Sequence, residues 1–159
     1  MKNASATTGN IMPKIDLFLD SSALMAGIIS AQGAARALLL LGEDEKIILT
    51  VSEQIIVEVE RNLAIKVPKI LPYAREMILH TNLRILKDPS PEEVYKHLDW
   101  ISHAADVPIL VAAAQAHVDF LVTLNTHHFI EDTNVSRRSG LRIGTPGDGL
   151  AWVRQQLSR

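Results

Sequence analysis

The sequence predicts an α/β fold, a parallel sheet with helices on both faces, from three observations. Short runs of strand character alternate along the chain with segments of helical character. The runs are separated by helix-start signals: Ser, Asp or Thr, followed by acids or Pro. A chain of 159 residues, 47% of them hydrophobic and 21% charged, is sized for one domain with a core of its own.

The elements follow in order. Residues 14–20 (KIDLFLD) are a short apolar run ending in an acid, and they predict a buried strand. Ser21 and Ser22 signal a helix start. The Ala- and Leu-rich stretch from about 23 to 41 is helical, split into two pieces by Gly27 and Gly33 and closed by Gly42. KIILTV (46–51) is the second strand by β-branched content. Ser52 opens a helix over about 53–66, and Pro68 interrupts before another helix reaching about His80. NLRILKD (82–88) alternates as a third strand. Ser90, Pro91, Glu92 and Glu93 form a capping box for an amphipathic helix through about Ser102. Asp106 is placed to cap the next helix, VPILVAAAQAHV. DFLVTL (119–124) is the fourth strand, and after a loop LRIG (141–144) is the fifth. Thr145–Asp148 then starts a C-terminal helix with a second capping box. Residues 1–11, small and polar with Met12 behind them, read as a flexible tail, and 12–159 as the single domain.

Composition removes several classes of function. Without cysteine there are no disulfides, thiolate zinc sites, iron–sulfur clusters or Cys nucleophile. A formal charge of −2 is not that of a protein that wraps duplex DNA, although an enzyme meeting nucleic acid at a metal site need not be basic. No apolar run approaches the ~20 residues of a membrane helix, and the start lacks the pattern of a signal peptide, so the expected location is the cytoplasm.

Polar residues fall where such a sheet binds ligands, beyond the carboxyl ends of its strands at the point where strand order reverses. Asp20 closes strand one, Asn125 follows strand four after Thr123, and Asp106 starts the helix leading into strand four. Glu58 lies in the helix after strand two. If strands one and four are neighbours, Asp20, Asp106 and Asn125 converge on one crevice. Clustered carboxylates repel one another unless a cation joins them. Oxygen ligands suit Mg2+ or Mn2+, and the chemistry that follows is metal-assisted phosphodiester hydrolysis.

At these residues the sequence resembles the PIN-domain ribonucleases, among them toxins of the VapC type. LFLDSSALMAGII resembles the family's first motif, with Asp20 at its metal-binding Asp. SEQIIVEVERNL resembles the second, with Glu58 at its Glu, and DVPILVAAA the third, opening on Asp106. VDFLVTLNTHHF resembles the fourth, with Thr123 and then Asn125 where the family has Asp, and LRIGTPGDGL resembles its strand-then-Thr-Pro ending. The resemblance implies a three-layer α/β/α, PIN-like fold with a parallel five-stranded sheet of order 3-2-1-4-5. It also implies Asp20, Glu58 and Asp106 as catalytic metal ligands for Mg2+ or Mn2+, with Ser22, Thr123 and Asn125 supporting them. An RNA substrate, an antitoxin partner and a homodimer follow from the same resemblance. Asn125 keeps an oxygen acceptor but not the negative charge.

Other residues are weighed against these. Glu53 and Glu60 rival Glu58 on the same helix. Asp119 is expected to face solvent at a strand start, far from the carboxyl end, and is set aside; Asp16 begins the first strand and is set aside for the same reason. His127 and His128 are expected to diverge in an extended loop, and His80, His97, His103 and His117 show no ligand spacing, so no zinc site is expected. Arg137, Arg138 and Arg142 form a basic cluster near the last strand, suited to RNA backbone contacts if it lies beside the crevice. Three functions compete: a metal-dependent ribonuclease acting as a toxin, an RNA- or protein-binding module with a metal site weakened at Asn125, and a receiver-type phosphoacceptor domain. The last needs an Asp after strand three, which Asp88 could supply, and a Lys after strand five, which LRIGTPG lacks.

Overall fold

The computed structural model describes residues 13–159; the expected tail over 1–11 lies outside them. The central strand β1 (Asp16–Leu19) pairs in parallel with β2 (Ile48–Ser52) on one side and β4 (Phe120–Val122) on the other. β3 (Arg84–Leu86) adds to β2 and β5 (Ile143–Gly144) to β4, so the five-stranded sheet has the order β3-β2-β1-β4-β5. Helices cover both faces, which is why Leu17, Phe18 and Leu19 can all be buried in succession. In register, Leu17 faces Leu49 and Phe120 across the ladders, and Phe18 faces Leu121.

Two helices follow β1: α1 (Ser21–Ile29) and α2 (Ala34–Glu43). The first begins at Ser21, about two residues earlier than expected, because Asp20 itself is the N-cap, its carboxylate accepting from the Ala23 amide. Gly27 does not break the helix. It lies inside α1, where a Cβ would come within 2.6 Å of Leu39 Cδ1, so it permits the close crossing of α1 and α2. Gly33 does mark the break, at φ 104°, a conformation that favours glycine. Gly42 falls within α2 rather than after it.

The remaining helices are α3 (Glu53–Lys66), α4 (Leu71–His80), α5 (Pro91–Tyr95), α6 (Val107–Gln115), α7 (Thr126–Phe129), α8 (Asn134–Ser139) and α9 (Pro146–Leu157). Both expected capping boxes are present, at Ser90–Glu93 and Thr145–Asp148. The expected helix over 91–102 stops at Tyr95. Tyr95 and Leu98 stay exposed and only Ile101 of the stretch that follows is fully buried, so packing gives a longer helix no inward face. The expected loop after β4 contains α7 and α8, anchored by buried Phe129 and Val135. Among the described residues no single helix is long and apolar enough to cross a membrane.

At the amino ends of the strands, opposite the crevice, Asp16 departs from expectation. It is buried, not solvated: Thr50 Oγ1 donates to its Oδ1 at 2.6 Å and Arg84 Nη2 lies 2.9 Å from its Oδ2. Asp119, exposed as expected, accepts from the Asp16 amide at 2.8 Å. Burial pushes the Asp16 carboxyl up from its ordinary value against the pull of Thr50 and Arg84, with Asp119 adding to the rise. The folded state therefore holds a proton that the unfolded chain releases at lower pH, and Asp16 withdraws stability as pH climbs through that interval. Arg84→Met removes the counter-charge and is expected to destabilise by about 1–3 kcal/mol at neutral pH and by less at pH 5. Urea denaturation at both pH values checks this; equal losses would mean that Arg84 contributes packing alone.

Candidate active site

The crevice is built by the parallel register. The ladder continues one step past the strands, with the Asp20 amide donating to the Val122 carbonyl at 3.1 Å. Asp20 and Thr123 therefore leave the carboxyl ends of β1 and β4 side by side, at the position where the strand order reverses.

Every donor around Asp20 comes from the sequence next to these strand ends. Ser22 Oγ and the Ala23 amide donate to Oδ1 at 2.6 and 2.9 Å, while Thr123 Oγ1 donates to Oδ2. Ser22 Oγ in turn accepts from the Leu124 amide at 2.9 Å, and Thr123 Oγ1 accepts from the Asn125 amide at 2.9 Å. The two hydroxyls thus tie the β1–α1 turn to the β4–α7 turn across the crevice. Asp20 is only 4% exposed, and burial raises its carboxyl above the ordinary range; the three hydrogen bonds oppose the rise, and the nearby charge of Asp106 adds to it.

Asp106 lies in a 3-10 turn (Ala104–Asp106) before α6. It occupies the N-cap position, but its side chain caps nothing. Instead Oδ2 is 2.8 Å from His128 Nδ1 and 3.2 Å from His103 Nδ1. The expected capping role is therefore corrected: α6 starts from a 3-10 turn with Pro108 in its first turn, and the carboxylate turns toward the imidazoles.

Asn125 is the N-cap of α7. Its Oδ1 accepts from the His128 amide at 3.2 Å and its Nδ2 is 3.0 Å from His128 Nδ1. Through its backbone it joins Thr123 and thereby Asp20; through His128 it reaches Asp106.

Glu58 is half-buried on α3, with Gln54 Nε2 donating to Oε1 at 2.9 Å. Its two rivals are engaged elsewhere. Glu60 pairs with Arg75 at 2.9 Å on the surface, and Glu53 accepts from the Asp88 amide at 3.2 Å. No hydrogen bond or ion pair links Glu58 to Asp20 or Asp106; α3 does pack against α1.

Of the three arginines, Arg142 is not brought to the crevice. Arg142 precedes β5 and reaches the carbonyl of Asp119 and the face of Trp152, at the amino end of the sheet. Arg138 donates to the Asp99 carbonyl at 2.7 Å and Arg137 to Asn134. A parallel strand puts residues before it and after it at opposite ends, which separates Arg142 from Asp20 however basic the local sequence.

Two histidines that the sequence sets aside, His103 and His128, gather at Asp106. The segment 126–129 is a helical turn, so His127 and His128 diverge by helical rotation: His127 turns out to Glu131 and His128 in to Asp106. His103 and Asp106 have the i, i+3 spacing that puts side chains on one face of a helical turn, and that is the signal that could have found them.

The donor set suits a hard divalent cation. Asp20 and Asp106 are close enough for one charge to shift the other, and no Lys or Arg pairs with either among the described residues. A model of the PIN domain matches residues 16–127. Among solved structures the chain is similar to PAE2754 from Pyrobaculum aerophilum, at 17% identity and TM-score 0.61 over 89% of this chain and 96% of that one. It is also similar to VapBC2 from Rickettsia felis bound to a DNA fragment from their promoter, at 16% identity and TM-score 0.57 over 82% and 98%. FitAcB from Neisseria gonorrhoeae gives 18% identity and TM-score 0.50 over 82% and 98%. At these identities the likeness is one of fold. No curated protein sequence matches.

Proposed function

Since the chain belongs to the PIN-domain family, we propose that it is an endoribonuclease that hydrolyses RNA phosphodiester bonds with Mg2+ or Mn2+ and acts as the toxin of a toxin–antitoxin pair. The observation that carries this reading is a buried, three-fold hydrogen-bonded Asp20 with Asp106 beside it and no Lys or Arg partner among the described residues, at the switch point of the sheet. A divalent ion bound there would polarise a phosphate oxygen and lower the pKa of the attacking water.

The residues of the chain prepare that site. Ser22, Thr123 and the Ala23 amide hold the Asp20 carboxylate in one orientation, so little reorganisation accompanies its use. Asp106 offers a second carboxylate from the opposite wall, and Glu58, oriented by Gln54, a third from α3. An antitoxin partner is supported by the fold shared with VapBC2, which is bound to promoter DNA; a homodimer is the assembly we assign to the chain. A second reading, a binding module with a weakened metal site, is favoured by one observation: the fourth acid position is an amide, and that amide is engaged in capping α7.

Calorimetric titration with Mn2+, followed by cleavage assays on structured RNAs, tests the proposal. The expected result is cleavage that requires Mn2+ or Mg2+, is stopped by a chelator, and is lost in Asp20→Asn and Asp106→Asn. Metal binding without cleavage of any RNA would favour the binding module.

A further inference from the structure

The convergence of His103, Asp106 and His128 extends beyond a carboxylate site for hard ions. From it we infer that these three side chains form a binding site for a borderline divalent transition-metal ion, with Zn2+ and Co2+ as its representatives. Both imidazoles direct Nδ1 at the same carboxylate oxygen, at 2.8 and 3.2 Å, and the three ligand atoms lie within 4.8 Å of one another. Bonds of about 2.05 Å at the tetrahedral angle place neighbouring ligand atoms about 3.3 Å apart. The two nitrogen-to-oxygen separations lie within about half an ångström of that spacing, so small side-chain rotations would admit one ion between the three atoms.

The surroundings favour the same reading. The two rings are stacked at 4.4 Å between centroids, which turns their Nδ1 edges to the same side. Asn125 grips His128 at its backbone and at its ring, and so holds the imidazole in this direction. It offers Nδ1 a donor while Asp106 offers it an acceptor, so no single protonation state suits both; a cation shared by Nδ1 and Oδ2 relieves the second contact. Asp106 is nearly buried and His128 less than a third exposed, while His103 closes the site from the solvent side. Two imidazoles and one carboxylate with open positions select borderline ions over Mg2+, which demands oxygen and keeps its waters. Insofar as the proposed function holds, Asp106 is shared between this ion and the one at Asp20, and Zn2+ then competes with Mn2+ for it.

Calorimetry with Zn2+ and the visible spectrum of the Co2+ form, on the full chain, test the inference. Both His103→Gln and His128→Gln should weaken Zn2+ at least tenfold and diminish the Co2+ bands, and each should cost Zn2+ more affinity than it costs Mg2+. His127→Gln is the control for adventitious binding by the exposed His127–Glu131 pair, and it should change neither. Melting curves of each variant exclude loss of the fold. Unchanged Zn2+ affinity in both variants, or an equal loss in His127→Gln, would overturn the site. These readouts do not depend on RNA cleavage, so an inactive protein that binds Zn2+ through these histidines overturns the ribonuclease proposal and leaves this one standing.

Discussion

Asp20→Asn is expected to weaken Mn2+ binding about 100-fold or more while the metal-free protein melts at the same temperature or higher. The charge removed is one that the fold tolerates at a cost. Asp20 is almost fully buried, and desolvation together with the neighbouring Asp106 raises its carboxyl above the ordinary range. The hydrogen bonds do not require that charge. An amide oxygen accepts from the Ala23 amide as a carboxylate does, and the amide nitrogen can donate to Thr123 Oγ1 where Oδ2 formerly accepted. The variant also has a pH signature. With its carboxyl raised, folded Asp20 holds a proton at pH values where the unfolded chain has lost it, so metal-free stability falls as pH rises through that interval. Asp20→Asn removes this contribution, and the stability–pH curve above pH 4 should be flatter than that of the wild type. Denaturant titrations across pH, paired with Mn2+ calorimetry, read both effects. Undiminished Mn2+ affinity would sink the assignment of Asp20 as a ligand.

Asn125→Asp should act in the opposite direction, tightening divalent-metal binding about tenfold and raising or creating ribonuclease activity. The substitution is compatible with the backbone, because Asp caps a helix as well as Asn does and its oxygen can still accept from the His128 amide. What changes is charge. Position 125 is separated from Asp106 by a single imidazole nitrogen, and its own amide bonds the hydroxyl that holds Asp20. Two unit charges ~6 Å apart interact by about 3 kcal/mol at an effective dielectric of ~20, before desolvation and screening. A divalent ion is attracted twice as strongly as a single charge is repelled. A residual gain of ~1.4 kcal/mol gives the tenfold effect. Without metal the added repulsion should lower the melting temperature, and saturating Mn2+ should restore it by linkage. Failure of both the metal-free loss and the metal-induced recovery would place position 125 outside the acidic site. Both without cleavage would favour the binding module.

The order of elements, the parallel sheet and the acid at the end of its central strand were all legible along the chain. Alternating strand-like and helical segments leave few ways to pack, and an acid directly after a buried run must stand at a strand end. The family resemblance named Ser22 and Thr123 as companions of Asp20, and the register brings both hydroxyls to its carboxylate. Local signals misjudged residues whose setting is made by distant segments. Asp16 looked like a solvated strand start until β2 and β3 covered it with Thr50 and Arg84. Arg142 belongs to a basic cluster near the last strand, suited to RNA only if it lay beside the crevice, and its place before β5 puts it at the other end of the sheet.

The sequence by itself determined the fold class and the place of Asp20 at the end of its strand, because periodicity, caps and the reach of a parallel strand act over a few residues. Only the tertiary structure decided what Asp106 does. Its neighbours in the chain present it as a helix cap, and a short helix that arrives from 22 residues away supplies the imidazole that turns its carboxylate aside. Pairing over that distance is set by packing of buried anchors such as Phe129 and Val135, and no local pattern encodes it.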